Sequence, residues 1–242
     1  MELKMRKGLM SMEKRIINGY STGEGESYIP LFKAREVSSD GFCSSVINPF
    51  TGRSMELMSE GEEWLVYNLL FDPSVKDIRE QFWLSDLTLL KDITDSLGMR
   101  PYSMDTPLTA DLFVDHYDGT QVAYQVKCDR ESIANSIDAQ MRMIVEGMYW
   151  TKKKVIYQVV YKEDMDPIRA DNIEEIFEYY NASAIHDEIG LIKHLMAHKV
   201  IEADISHGRI DFKYEAEKNR KVMMDYARKK QLNETIFSKI GE

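Results

Sequence analysis

The hydrophobic positions switch between a period near 3.6 and a period of two, and each switch marks an element. Residues 8–18 (GLMSMEKRIIN) predict a short helix, followed by a glycine-rich loop over 19–30 (GYSTGEGESYIP). With no strand before it and no Gly-Lys-Ser/Thr after it, that loop lacks the parts of a phosphate-binding loop. Residues 45–58 predict a hairpin around Asn48-Pro49 and Thr51-Gly52. A helix starts at Ser59, an N-cap serine three residues before Glu62, and stops before Pro73. Residues 75–84 (VKDIREQFWL) read as extended, and 86–97 as an amphipathic helix ending at Gly98.

Two alternating strands follow. In 109–115, Ala110, Leu112 and Val114 share one face, and Asp111, Phe113 and Asp115 the other. His116-Tyr117-Asp118-Gly119 is a turn. In 121–127, Val122, Tyr124 and Val126 form the apolar face, opposite Gln121, Ala123, Gln125 and Lys127. A long helix over 132–152 and a strand over 155–161 complete the pattern of an α/β fold, a sheet flanked by helices. Beyond Asp166-Pro167 the pattern is mainly helical, with a possible hairpin over 200–214 and a charged helix over 215–230. The expected division is a domain over 1–166 and a small one over 167–242.

Of the 242 residues, 43% are hydrophobic and 30% charged, a balance that favours a folded chain over a disordered one. No apolar run approaches the ~18 residues of a membrane helix, and the N-terminus lacks a signal peptide's apolar stretch, so a cytoplasmic protein with no membrane partner is expected. Cys43 and Cys128 form no CxxC pair, which argues against a disulfide framework or a thiolate zinc site. The net charge is -10, the opposite of an autonomous nucleic-acid binder. Segments 1–36 and 211–242 each net +2, leaving -14 on 37–210. That acidic middle is either a solvated surface or a source of carboxylates for divalent cations.

The candidate chemistry rests on Glu62, Asp111, Gln125 and Lys127. Cutting a phosphodiester calls for oxygen ligands around a hard cation and a nearby lysine for the attacking water. Gln125 and Lys127 point the same way, being two apart on a strand. A two-residue turn at Asp118-Gly119 would set Asp111 against Val126 and on the wrong face, so a shared site demands a connection of odd length or a bulge. Each residue also has an ordinary reading: Glu62 as a capping-box acid, Asp111 as a solvent-facing strand residue, Lys127 as a strand-end charge and Gln125 as its polar neighbour. His194 and His198 lie one turn apart, but the glutamate of HExxH is missing and helix-end histidines commonly bind carbonyls. His116 reads as an exposed turn residue, the methionines as core, and Lys152–Lys154 and Arg228–Lys230 as solvated charge.

The run Ser59-Glu60-Gly61-Glu62, the segment FDPSVKDIREQFWL at 71–84, TADLFVD and QVK resemble the TnsA family, endonuclease subunits of heteromeric cut-and-paste transposases. GYSTGEGESYIP, REVSS at 35–39, TGR at 51–53 and EGMYW at 146–150 extend the likeness over roughly residues 15–170. The resemblance implies a restriction-endonuclease-like mixed sheet flanked by helices and a small C-terminal domain, for which a winged helix is one option. It implies magnesium as cofactor, with manganese able to substitute, and cleavage of the 5' strand at transposon ends. Glu62 and Asp111 would be metal-binding carboxylates and Lys127 the catalytic lysine; Gln125, where related nucleases carry an acid, would belong to the site, and the Val126 carbonyl would add a ligand. Glu146 would be either a supporting site residue or a helix-surface charge. The implied partners are transposon-end DNA, a strand-transferring TnsB-like transposase and a TnsC-like ATPase regulator. The chain departs from the family's SDLE in having SEGE, with Gly61 ahead of Glu62. The rival readings are a stand-alone repair nuclease and an adaptor whose site has decayed.

Overall fold

The computed structural model describes residues 4–5, 10–38, 42–181, 183 and 185–230. The chain divides into two compact units, Met1–Met165 and Asp166–Glu242. No helix among the described residues is long and apolar enough to cross a membrane.

In the first unit, β1 (Lys4–Met5) pairs with β2 (Val37–Ser38), and α1 (Met12–Ile17) lies between them in sequence. The hairpin of β3 (Ser44–Ile47) and β4 (Ser54–Leu57) leads into α2 (Glu60–Phe71). A four-stranded sheet follows in the order β5 (Val75–Trp83), β6 (Thr109–His116), β7 (Gln121–Lys127), β8 (Ile156–Tyr161). The first three strands are antiparallel, whereas β7 and β8 are parallel, so the sheet is mixed. Helix α3 (Leu87–Ser96) joins β5 to β6, and α4 (Arg130–Ala134) with α5 (Ile137–Lys152) forms the crossover from β7 to β8 that a parallel pair requires.

Both faces of the sheet are covered. Phe113 and Ala123 sit in a core with Leu90, Val145, Tyr149 and Trp150 from α3 and α5. This corrects the simple alternation read from sequence, which put Phe113 and Ala123 on the polar side; the period of two marks one buried face only when the other is solvated. Phe82 stacks on Phe113 with ring centroids 4.4 Å apart. On the other side Leu112, Val114 and Val122 are buried, and α2 packs against β5 and β7.

Within VKDIREQF, Asp77 to Gln81 are buried, and the buried charges are paired. Asp77 accepts from the Gly25 N–H at 3.1 Å, and Arg79 pairs with Asp115. Glu80 takes two bonds from the Arg53 guanidinium, at 2.6 and 2.8 Å, while the Tyr28 hydroxyl and Arg53 Nη2 donate to the Glu80 and Ile78 carbonyls. The glycine-rich loop and the β3–β4 hairpin thus cover an edge strand that would otherwise present unpaired backbone groups.

Three elements differ from the sequence reading, one being the charged helix expected over 215–230, which is two helices divided at Asn219. The helix expected over 132–152 is broken at Asn135-Ser136, where the Ser136 hydroxyl caps α5 by accepting from the Ala139 N–H. In the second unit, α6 (Pro167–Phe177), α7 (Glu188–Ala197), α8 (Phe212–Lys218) and α9 (Arg220–Lys230) surround a core that includes Ile173, Leu191, Leu195 and Met223. The hairpin expected over 200–214 is absent, and the described residues of this unit hold no strand. The buried Asn172 side chain donates to the Gly208 carbonyl at 2.8 Å and accepts from the Ile210 N–H at 3.1 Å, doing for this segment what a partner strand would do.

Candidate active site

The site forms at one end of the sheet, where α2 lies on one face and α5 on the other. Ser59 caps α2: its hydroxyl accepts from the Glu62 N–H at 3.2 Å and donates to Glu62 Oε1 at 3.0 Å. Glu62 Oε2 accepts from the Met58 N–H at 2.9 Å. The capping interaction therefore exists, but it also holds Glu62, only 5% exposed, in the wall of a cavity of about 700 Å³. Gly61 makes this approach possible. A Cβ there would lie 2.9 Å from Val126 Cγ1, so the residue that weakens the helix lets it rest directly on β7.

The turn between β6 and β7 has the odd length that a shared site demands. The pairing runs Asp115 to Gln121, Val114 to Val122, Phe113 to Ala123 and Leu112 to Tyr124. The His116 N–H donates to the Thr120 carbonyl across a three-residue loop whose last member, Gly119, has φ +87°. One step further along that register sets Asp111 across from Gln125, and Asp111 Oδ2 accepts the Val126 N–H at 2.7 Å. Asp111, Gln125, Val126 and Lys127 all line the cavity with Glu62.

Burial dominates the electrostatics. It pushes Glu62 up to about 8, helped by the nearby Asp111 charge and opposed by the Met58 and Ser59 hydrogen bonds and Lys127. Burial also raises Asp111, against the pull of Lys127, the Val126 N–H, Arg142 and Gln125. Gln125 is 3% exposed, and its Oε1 has no hydrogen-bond partner among the described residues. An orphaned buried carbonyl beside two carboxylates is a donor set made wholly of oxygen, which fits a hard divalent cation better than a soft one. Among the described residues no three His, Cys, Asp or Glu side chains cluster, so the amide and backbone oxygens would have to complete such a shell.

Gln81 and Arg142 are among the residues of this cavity that sequence reasoning missed. Gln81 is 1% exposed, lies opposite Asp111 in the β5–β6 register and has φ +49°. Its Nε2 reaches Glu62 Oε2 at 3.4 Å, and its Oε1 accepts from Thr109 Oγ1 at 3.5 Å. An amide held in the left-handed region inside a strand is a strained arrangement of the kind that gathers at functional sites. Its only sequence signal was its place in VKDIREQF. Arg142, on α5, also lines the cavity. Glu146 is fully buried and does not line it; it accepts from Arg142 Nε at 2.8 Å and from the Tyr157 hydroxyl at 2.9 Å. It is therefore not a helix-surface charge.

The other candidates have structural partners. His194 Nδ1 donates to the Tyr179 carbonyl at 2.9 Å and its Nε2 pairs with the Tyr226 hydroxyl at 3.0 Å, while His198 Nε2 donates to the Tyr180 carbonyl at 2.8 Å. His116 pairs with the Ser74 hydroxyl, and Cys43 and Cys128 are not joined in a disulfide. Lys153 is bound to Asp86.

No protein-family model matches the chain. The chain is similar to the Tn7 transposition protein TnsA of Escherichia coli, with 26% identity over 170 residues, 69% of this chain. It spans 62% of the length of that relative, so the likeness supports a TnsA-like relationship for the region it covers.

Proposed function

We propose that the chain is a magnesium-dependent DNA endonuclease subunit of a transposase that cuts the 5' strand at transposon ends. The observation that carries this reading is the meeting of Glu62, Asp111, the orphaned Gln125 Oε1 and Lys127 in one cavity of an α/β unit similar to TnsA. Glu62, Asp111, Gln125 and the Val126 carbonyl are the residues that would hold the cation. When bound, magnesium supplies neutralisation of phosphate charge and a water of lowered pKa. The chain's own residues do the rest. Burial keeps the two carboxylates short of solvent, so each is a stronger attractor of a cation than its exposed counterpart and must shed any proton it carries first. Lys127, two residues from Gln125 on the same face of β7, orients the attacking water and offsets charge as the phosphorus becomes five-coordinate. The water oxygen bonds to phosphorus as one backbone P–O bond breaks; the water's proton passes to solvent, and the leaving oxygen takes a proton from solvent.

The net charge of -10 suits a subunit delivered to DNA by others. A strand-transferring TnsB-like transposase would bring it to the transposon end, and tethering would supply the local concentration that basic surface supplies elsewhere. A TnsC-like ATPase regulator is the second proposed partner. The acidity disfavours a stand-alone repair nuclease, and the intact donor set disfavours a decayed adaptor. The test is reconstitution of the full chain with its cognate transposase on a labelled transposon end with magnesium. Asp111→Ala and Lys127→Ala are each expected to abolish the 5'-strand nick and leave the 3'-strand cut; unchanged nicking in both would overturn the nuclease reading.

A further inference from the structure

The mechanism above leaves Arg142 unused, although its guanidinium opens on the same cavity. It stands on α5, which covers the sheet face that carries Gln125 and Asp111, and it is near enough to Asp111 for the two charges to act on each other. Its side chain keeps 26% of its exposure, whereas Glu146, one turn further along α5, keeps none. Nε donates to Glu146 Oε1 at 2.8 Å and Nη2 to the Thr109 carbonyl at 3.4 Å. Among the described residues the guanidinium makes no other hydrogen bond, so both Nη1 N–H groups remain available to donate. The acid that holds it is itself fixed by the Tyr157 hydroxyl at 2.9 Å. Lys162, another cation of the cavity wall, is by contrast committed to Glu60 and rests 4.8 Å over the Trp64 ring.

A surface pair of Arg and Glu one turn apart needs no buried acid and no tyrosine behind it. Here the acid is withdrawn from the cavity and the guanidinium is held at its wall, with one edge of the planar fork occupied and another open. That is the form in which arginine grips the oxygens of a phosphodiester. The geometry points to Arg142 as the residue that holds the scissile phosphate of the DNA strand, with Glu146 and Tyr157 as its positioning residues. The inference rests on the nuclease reading above and adds to it a phosphate-binding group on the wall of the same cavity.

The test uses the full chain with its cognate transposase on a labelled transposon end in magnesium. Replacing Arg142 alone would leave Glu146 buried without its counter-charge, so the main variant is the double Arg142→Gln with Glu146→Gln, which removes both charges. Manganese binding to the isolated chain and its melting temperature are measured beside the nicking rate. The expected result is nicking slowed about 100-fold with manganese binding retained, as for loss of one preorganised donor to a transition-state oxyanion. Wild-type nicking by the double variant, with Asp111→Ala inactive, would overturn the assignment while leaving the nuclease reading in place. Wild-type nicking by Asp111→Ala as well would mean the nuclease reading itself had failed. Loss of manganese binding together with nicking would also overturn it, by placing Arg142 in support of the metal ligands. Should the double variant melt early, Arg142→Lys decides alone: it keeps the charge beside Glu146 but not the fork, so a tenfold fall supports the assignment and a wild-type rate overturns it.

Discussion

Raising the pH should destabilise the metal-free first unit, and Glu62 should be a main cause. Its carboxyl is pushed up to about 8 in the folded chain, from an ordinary value of 4.5. Below the unfolded value both states hold the proton and the folded state has its full stability. Between the two values the folded state keeps a proton that the unfolded state has lost. Stability then falls as pH rises, by about 1.4 kcal/mol per pH unit for one proton. From roughly pH 5.5 to pH 7.5 the loss attributable to Glu62 is about 3 kcal/mol, a large share of a typical domain's stability. Urea unfolding in chelator, followed by tryptophan fluorescence, can measure it, because Trp64, Trp83 and Trp150 all lie in the first unit. Other shifted groups contribute to the absolute curve, so the quantity to compare is wild type minus Glu62→Gln, which removes the titrating group and keeps a polar side chain. Saturating manganese should flatten the wild-type slope by displacing the proton. Parallel curves for wild type and Glu62→Gln would refute the reasoning, because Glu62 would then titrate in the folded chain as it does in the unfolded one.

Two further outcomes follow from the same geometry. Gly61→Ala improves helix propensity but drives a Cβ to 2.9 Å from Val126 Cγ1, a stiff β-branched neighbour, so a net loss of about 1–3 kcal/mol is expected in the same unfolding assay. Gln81→Gly relieves the left-handed backbone at φ +49° but deletes the amide that reaches Glu62, so thermal melting should change by no more than about 1 kcal/mol while manganese binding measured by calorimetry weakens.

The elements legible in the sequence were those with local causes. Ser59 and Glu62 announce the start of α2, and the alternation of 109–115 and 121–127 announces β6 and β7. The odd turn was legible too, because parity alone decides whether Asp111 can face Gln125. What escaped depended on distant partners. Asn135 and Ser136 look like ordinary positions in a helical stretch until each caps a different helix. Asn172 replaces a strand partner for residues nearly forty positions away, which no local pattern of 200–214 reveals. Gln81 and Arg142 were silent for the same reason: a backbone angle and the direction of a guanidinium are set by what packs around them. Both faces of the sheet being covered also hid Phe113 and Ala123, whose burial the simple alternation denied.

The three-residue loop at Tyr117–Gly119 makes the site vulnerable to a kind of damage that substitutions do not model. Inserting or deleting a single residue there changes parity, and parity decides which face of β6 looks toward Gln125. Such an event lies several positions from Asp111 and alters no side chain of the cavity, yet it would carry the carboxylate to the α2 face and Phe113 out of its core. A change of two residues would preserve both. Lineages descended from this chain should therefore vary in that loop by even steps, or lose the shared cavity through a lesion that leaves every one of its residues in place.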